Sequence, residues 1–335
     1  MEKTQFTSST ERKDLSGVKE KFDYDLKVLI VGASGHLGSC ITKYLCENHQ
    51  NEVKLSLLCP EESRNKISLW EKKLNGQIIT FDVLNGNLDQ LSQILKDFTM
   101  VLNCMNFFDP NEELTAEKNL INCCVKAGVR FYIPSDFSID FRNITTDLTD
   151  LPRIQVRQQV HQLLNQSSLN WVSILCGVFI EKLLFEDCKL INREKNEMNY
   201  YGTGNEEFEV CTYEDVAKFV SELIARREFE KFKNQFLCIY TERITFRELG
   251  NWLRDIWGHD LKITNCGNLE DLNKRLKEVK GTDMTLYYYL QYMKVILMGQ
   301  GRLTELDNQV WPTISKTNVK NVVRQWTSQA QGIAV

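Results

Sequence analysis

The sequence predicts an α/β fold, a doubly wound parallel sheet with a smaller C-terminal subdomain. Three observations predict it. Short apolar runs such as Lys27-Val-Leu-Ile-Val31 read as strands buried on both faces. They alternate with segments of helical period at βα spacing. Glycines stand where the first strand must turn into a helix.

The elements follow in order. Residues 1–24 mix Thr, Ser, Lys and Glu without apolar period and are expected to be a mobile tail. The first strand, 27–31, ends at Gly32. From His36 to Asn48, Leu37, Cys40, Ile41, Tyr44 and Leu45 share one helical face. Val53 to Leu58 and Gln77 to Phe81 read as strands, Leu88 to Phe98 as a helix and Thr99 to Cys104 as the fourth strand. Leu114 to Ala127 is a helix closed by Gly128, a residue suited to the left-handed position after a helix. Arg130 to Ile133 is the fifth strand, stopped by Pro134. After an irregular stretch, Asp136 to Leu151, Pro152 opens a helix to Asn165, and Trp171 to Leu175 is the sixth strand. Beyond Gly177 the pattern loosens. Thr212-Tyr-Glu-Asp215 caps a helix from Val216 to Arg226, and Phe236 to Tyr240 reads as a further strand. Thr245-Phe-Arg-Glu248 is a capping box before Leu249, Trp252, Leu253 and Ile256, and residues 267–300 are mostly helical.

Composition narrows the function. Lys and Arg number 41 against 45 Asp and Glu, a net charge of −4, without the basic surplus of a nucleic-acid binder. No apolar run reaches the ~20 residues that cross a bilayer, so no membrane partner is expected. The N-terminus carries no apolar signal segment. Eleven cysteines, with no Cys-x-x-Cys, read as reduced thiols of a cytoplasmic protein. The four His stand far apart and no Cys/His spacing fits zinc, so no metal site is expected.

Gly32-Ala-Ser-Gly35-His-Leu-Gly38 lies between the first strand and its helix. Gly32 permits the tight turn, Gly35 lets backbone N–H groups approach a pyrophosphate, and Gly38 lets the helix pack close to the sheet. The helix start at His36 and Leu37 presents free N–H groups to the phosphates, with Ser34 in the loop. A glycine turn without a ligand is the alternative.

The spacing is Gly-x-x-Gly-x-x-Gly. With later segments it resembles the NmrA-like and isoflavone-reductase-like family of atypical short-chain dehydrogenases. The segments are Ala127-Gly-Val-Arg-Phe-Tyr-Ile-Pro-Ser-Asp-Phe137, Phe81-Asp82, Tyr201-Gly-Thr-Gly204 with Val210 to Phe219, and Trp311-Pro312. The resemblance covers about residues 26 to 327. It implies a Rossmann domain at 25–178, to which about 212–242 return, and a substrate subdomain from 179–211 and 243–330.

It also implies a dinucleotide. An acidic residue at the end of the second strand favours NAD and a basic one NADP. The family places Arg near Cys59; here Leu57-Leu58-Cys59-Pro60 has none. Arg64 is the candidate for a 2′-phosphate, with a solvated helix charge as the alternative. The resemblance implies NADP, and NAD stays open. Asp82 is implied beside the adenine; a turn-forming Asp is its alternative. Met105, Asn106 and Phe107 follow the fourth strand, and Ser135 and Asp136 the fifth, at the edge where open parallel sheets bind ligands. There Met105, Asn106 and Ser135 are expected to meet the cofactor; a polar loop with a buried Phe is the alternative for 105–107.

Related reductases place a Lys on the helix after the fifth strand. The match through Ile154-Gln-Val-Arg-Gln-Gln-Val-His161 puts Arg157 there, with an ordinary surface or ion-pair Arg as the alternative. Arg can hold a ribose or an anion but cannot give up its proton near neutral pH. No Tyr-x-x-x-Lys occurs. His161, one turn on, is the candidate acid, with a surface His as the alternative. Tyr287, Tyr288, Tyr289 and Tyr292 either pack the core or line a substrate pocket. Two functions follow. One is an NAD(P)H-dependent reductase of a small apolar or aromatic molecule. The other is a non-catalytic dinucleotide-binding redox sensor acting on a protein partner. The sequence sets no oligomeric state.

Overall fold

Apolar residues on both faces of a strand require cover on both faces, and this chain supplies it with two layers of helices. The computed structural model describes residues 24–145, 151–184, 189–258, 260–304, 306–310 and 314–329. The tail expected at 1–24, all but Tyr24, and the Trp311-Pro312 segment lie outside the described residues. The first half alternates as expected: β1 (Lys27–Val31), α1 (His36–Asn48), β2 (Lys54–Cys59), the short α2 (Arg64–Ile67), β3 (Ile78–Thr80), α3 (Leu88–Leu95), β4 (Met100–Asn103), α4 (Pro110–Ala127), β5 (Phe131–Ile133), α5 (Pro152–Gln166) and β6 (Asn170–Leu175). Then come β7 (Val178–Phe179), α6 (Ile180–Leu184), β8 (Ile191–Asn192), β9 (Glu197–Tyr200), β10 (Glu207–Cys211), α7 (Tyr213–Ala225), β11 (Gln235–Cys238), β12 (Glu242–Thr245), α8 (Phe246–Trp257), β13 (Lys262–Asn265), α9 (Leu269–Val279), α10 (Met284–Leu297) and α11 (Val319–Gln329).

The central sheet has seven strands in the order β11-β6-β5-β4-β1-β2-β3, all pairs parallel. The chain builds outward from β1 through β2 to β3, then returns to β4 on the other side of β1. That reversal opens a crevice at the C-terminal ends of β1 and β4. Val28 and Ile30 point to one face, under α1 and α7, beside Ile41, Val216 and Phe229. Leu29 and Val31 point to the other, under α3, α4 and α5, beside Leu91, Leu120 and Val160. This is the period-2 alternation of a strand with a core on each side.

Three local devices set helix ends. Asp109 accepts the Asn111 N–H at 2.8 Å, and Pro110 occupies the first turn of α4. The helix therefore starts four residues before the expected Leu114. Gly128 closes it at φ 76°. The capping box at Thr245 and Glu248 starts α8 as expected.

A second core gathers Leu183, Met198, Phe208, Leu249, Leu272, Leu290 and Val323. Two small sheets, β12-β10-β7 and β13-β9-β8, frame it. No local period in the sequence marks these strands. A strap then returns to the central sheet: Asp307 and Cys238 exchange hydrogen bonds of 2.7 and 2.8 Å, and Asn308 exchanges two with Tyr240. It covers the free edge of β11, which would otherwise offer unpaired backbone groups.

Ile30 is fully buried at the centre of β1. Ile30→Ala should lower unfolding free energy by about 2–5 kcal/mol, the usual cost of a cavity at such a site. A urea titration of both proteins reads this as a drop in midpoint. An unchanged midpoint would mean that β1 is not the packing centre of the sheet.

Candidate active site

The glycine loop is shaped from inside the protein at two of its three glycines. Gly32 has φ 82°, and a Cβ there would stand 2.8 Å from the Cys104 carbonyl carbon and the Met105 nitrogen. At Gly38 a Cβ would stand 2.5 Å from the Gly32 carbonyl oxygen. Gly35 differs. Its φ is −77°, and a Cβ there would meet only the Gly32 oxygen, at 3.4 Å. No internal contact demands glycine at 35, and the residue is exposed. No side chain caps the N-terminus of α1. An uncapped helix start behind a bare, exposed glycine leaves backbone N–H groups open to an anion.

Near this turn the chain brings Ser34, His36, Met105, Asn106 and Ser135 to the loops that leave β1, β4 and β5. Ser34 is half-buried and His36 exposed, while Leu37 is a core residue and can offer a ligand only its backbone. The His36 ring stacks on Tyr213, centroids 5.5 Å apart, and Tyr213 stacks on Phe179 at 4.4 Å. The Ser135 hydroxyl donates to the Met105 carbonyl at 2.7 Å and ties the loops after β4 and β5 together. Asn106 accepts from Arg153 at 3.4 Å. On the other wing, Asp82 closes a turn, accepting the N–H groups of Leu84 and Asn85. Burial pushes its carboxyl upward, but the hydrogen bonds from Asn85 and Leu84 prevail and hold it below its usual value. Arg64 pairs with Glu71 at 2.7 Å on the surface.

Arg157 is enclosed, 9% exposed. Its Nε donates to the Asp136 carbonyl and its Nη1 to the Arg153 carbonyl, both at 3.3 Å. Glu113 Oε1 lies 3.5 Å from Nη1. Burial alone would ease deprotonation, but Tyr292, Glu113, Asp136 and Glu117 outweigh it and hold the guanidinium charged.

His161 occupies a different place from the one expected. It is 1% exposed, with Nε2 2.6 Å from Asp136 Oδ2, and its ring packs on Phe236 and Trp171 at 4.6 and 4.8 Å. The physical reason is helix geometry. α5 runs away from the binding edge, so four residues beyond Arg157 carry a side chain about 6 Å deeper. Enclosed at that depth, His161 meets Asp136 through Nε2 and does not stand on the protein surface. Ser173 Oγ donates to the same carboxylate oxygen at 2.5 Å. Burial works to raise the Asp136 carboxyl, but His161, Arg157 and Ser173 together hold it below its usual range.

Two buried acids lie outside the residues that the sequence points to. Glu113 and Glu117 lie one turn apart on the buried face of α4. Glu113 stood outside the expected helix, so its alignment with Glu117 was hidden. Glu117 Oε2 accepts from the Tyr132 hydroxyl at 2.8 Å, which in turn accepts from the Asn103 amide at 3.3 Å. Burial pushes the Glu117 carboxyl up to about 7, against the pull of the Tyr132 bond. Among the described residues, no His/Cys/Asp/Glu group could hold a metal, and no helix is long and apolar enough to cross a membrane.

The fold recurs in known proteins. An oxidoreductase of Aspergillus flavus, aprR, is 23% identical over 242 residues, 70% of this chain and 76% of that protein. The leucoanthocyanidin reductase of Vitis vinifera, solved with NADPH, superposes with a TM-score of 0.74 at 16% identity, covering 90% of this chain and 99% of that one. A structure from the pinoresinol-lariciresinol and phenylcoumaran benzylic ether reductases gives 0.76 at 15%, covering 91% and 100%.

Because Glu117 is raised from 4.5 to about 7 in the folded protein, its contribution to stability is full below its unfolded value and lost as pH rises through about 7. Relative to Glu117→Gln, the wild type should lose about 3 kcal/mol between about pH 4.5 and pH 8. Denaturant titrations across that range read the difference; a flat difference would mean that Glu117 stays ionised when buried. The model of the NmrA-like family matches residues 25–309, and the chain belongs to that family.

Proposed function

We propose that this protein is an NADP(H)-dependent reductase of a small apolar or aromatic molecule, working in the cytoplasm. The observation that carries the reading is Gly35, a glycine that nothing inside the protein requires, set before the uncapped start of α1. The NADPH held by the leucoanthocyanidin reductase supports the choice of dinucleotide. Bound NADPH would supply hydride. The chain's own residues do the rest. Backbone groups of Ser34, Gly35, His36, Leu37 and Gly38 receive the pyrophosphate. Arg64, freed from Glu71, meets the 2′-phosphate, and Asp82 borders the adenine. Met105, Asn106 and Ser135 would line the nicotinamide, and Arg157 would hold ribose or substrate with a fixed charge. The described cysteines are free thiols, which supports a reducing compartment.

Arg157 also favours a second reading. A guanidinium gives up no proton near neutral pH, so a site built on it serves a non-catalytic redox sensor, with a protein as the partner, as well as a reductase. Turnover separates the two. NADPH oxidation across a broad panel of aromatic carbonyl and ether compounds supports the reductase; binding without oxidation, in wild type and in Arg157→Lys, supports the sensor.

Calorimetry tests the cofactor. Wild type should bind NADPH, and Gly35→Val should lose that binding while its thermal unfolding stays close to wild type. Absence of binding of both NADPH and NADH to folded wild type would overturn the reading. If Arg64 meets the 2′-phosphate, Arg64→Ala should erase most of the preference for NADPH, a charge-assisted bond worth about 1.5–3 kcal/mol. Equal wild-type affinity for the two dinucleotides removes Arg64 from the site.

A further inference from the structure

We propose that Glu181 is a further determinant of dinucleotide binding: its carboxyl group stands beside the glycine turn, admits the anionic diphosphate when neutral and opposes it when ionised. The inference rests on the dinucleotide reading of that turn and deepens it.

Sheet pairing sets the position. β7 and β10 run parallel, with Phe179 opposite Cys211. Just past the pairing the two chains still keep step, and Glu181 Oε1 accepts the backbone N–H of Tyr213 at 2.9 Å. That N–H is one of the free donors at the start of α7, and the Thr212 hydroxyl serves another, accepting from the Asp215 N–H at 3.0 Å. The Tyr213 ring stacks on His36, the first residue of α1 after Gly35, with centroids 5.5 Å apart. Tyr213 alone therefore links the Glu181 carboxyl group to the turn whose backbone N–H groups stand open to an anion.

The second carboxyl oxygen is the one left unanswered. Glu181 Oε2 is buried and, among the described residues, has no hydrogen-bond partner. An ionised carboxylate with one dry, unpartnered oxygen is costly, and a proton on that oxygen removes the charge. The surrounding groups press the same way. Glu214 and Asp215 face Glu181 from α7, Cys40 from α1 and Cys176 from the end of β6. Lys218 gives its ammonium to Glu214 at 2.6 Å, with Asp215 at 3.9 Å. Lys43 stands near Cys40, Arg157 near Cys176, and Lys182, next on α6, is exposed. Burial pushes the Glu181 carboxyl up to about 7, against the pull of the backbone hydrogen bonds and with help from Asp215 and Glu214. A group poised there changes charge near neutral pH, and an anion arriving at the turn favours its neutral form. Binding then takes up a proton, so affinity falls as pH rises through about 7. His36, at the turn itself, takes up a proton under the same influence and is the group to be separated from Glu181.

NADP⁺ titrated by calorimetry into the full chain, between about pH 5.5 and about pH 8.5, tests this. Glu181→Gln fixes the neutral form. The two proteins should bind equally at about pH 5.5, and wild type should bind about fivefold or more weaker than the variant at about pH 8.5. Titration of His36 and of the 2′-phosphate is common to both proteins and cancels in the ratio of affinities. A ratio that stays flat with pH overturns the proposal. If Glu181→Gln does not fold, proton uptake decides, read from wild type and His36→Gln binding NAD⁺ in buffers of different ionisation heat. Uptake at about pH 7 should persist in His36→Gln. No uptake, or uptake that vanishes with His36, overturns the proposal. NADP⁺ bound with a flat ratio defeats only the role of Glu181. No dinucleotide bound by either protein at either end of the range defeats the dinucleotide reading, and this inference with it.

Discussion

The contact on which this molecule depends is between two stretches of backbone. Gly32 leaves β1 so close to Cys104 and Met105 that a single methyl group would stand 2.8 Å from their atoms. The Gly32 N–H donates to the Leu58 carbonyl and the Cys104 N–H to the Val31 carbonyl, so three neighbouring strands end together. With side chains excluded there, the loops after β1 and β4 diverge from one point and leave the crevice between them. Everything placed at the edge inherits its position from that junction: α1 above it, the Ser135–Met105 tie beside it, and α5 with its two arginines beyond.

The sheet was legible because each of its strands must be apolar on both faces. Val28 to Val31 serve two cores at once, and a continuous apolar run is the mark of that burden. The small sheets left no such mark. β7 and β8 have two residues each, and β9 reads Glu-Met-Asn-Tyr with only Met198 fully buried. Their partners come from distant segments, as when β9 pairs with β13. Pairing of that kind is set by tertiary contacts and leaves no local period. The start of α4 was hidden for another reason. Asp109-Pro110 carries its signal in a cap and a ring, not in hydrophobic period.

The site was legible in part. The glycine loop and the residues after β4 and β5 announce themselves by position, since an open parallel sheet offers one binding edge. Depth along α5 was not legible. A helical face groups Arg157 with His161, but period does not say how far each residue stands from the edge. The structure buries both, Arg157 at 9% exposed beside Glu113 and His161 at 1% among Phe236 and Trp171. His161, with Asp136 and Ser173, acts from below by fixing the segment whose carbonyl receives Arg157 Nε.

Replacing a Lys with an Arg changes what the surrounding acids must do. An ammonium can be poised by burial, because its proton leaves within reach of neutral pH; a guanidinium keeps its charge whatever encloses it. Acids near a Lys would tune a proton, whereas acids near Arg157 can only direct a charge. Glu113 fits that second task. It sits between Arg153 and Arg157 at 3.4 and 3.5 Å, close enough to hold both in place and too far to bind either tightly. A shorter, bidentate pair with Arg157 would spend the charge inside the protein. The spacing found leaves Arg157 oriented by Glu113 and by the carbonyls of Asp136 and Arg153.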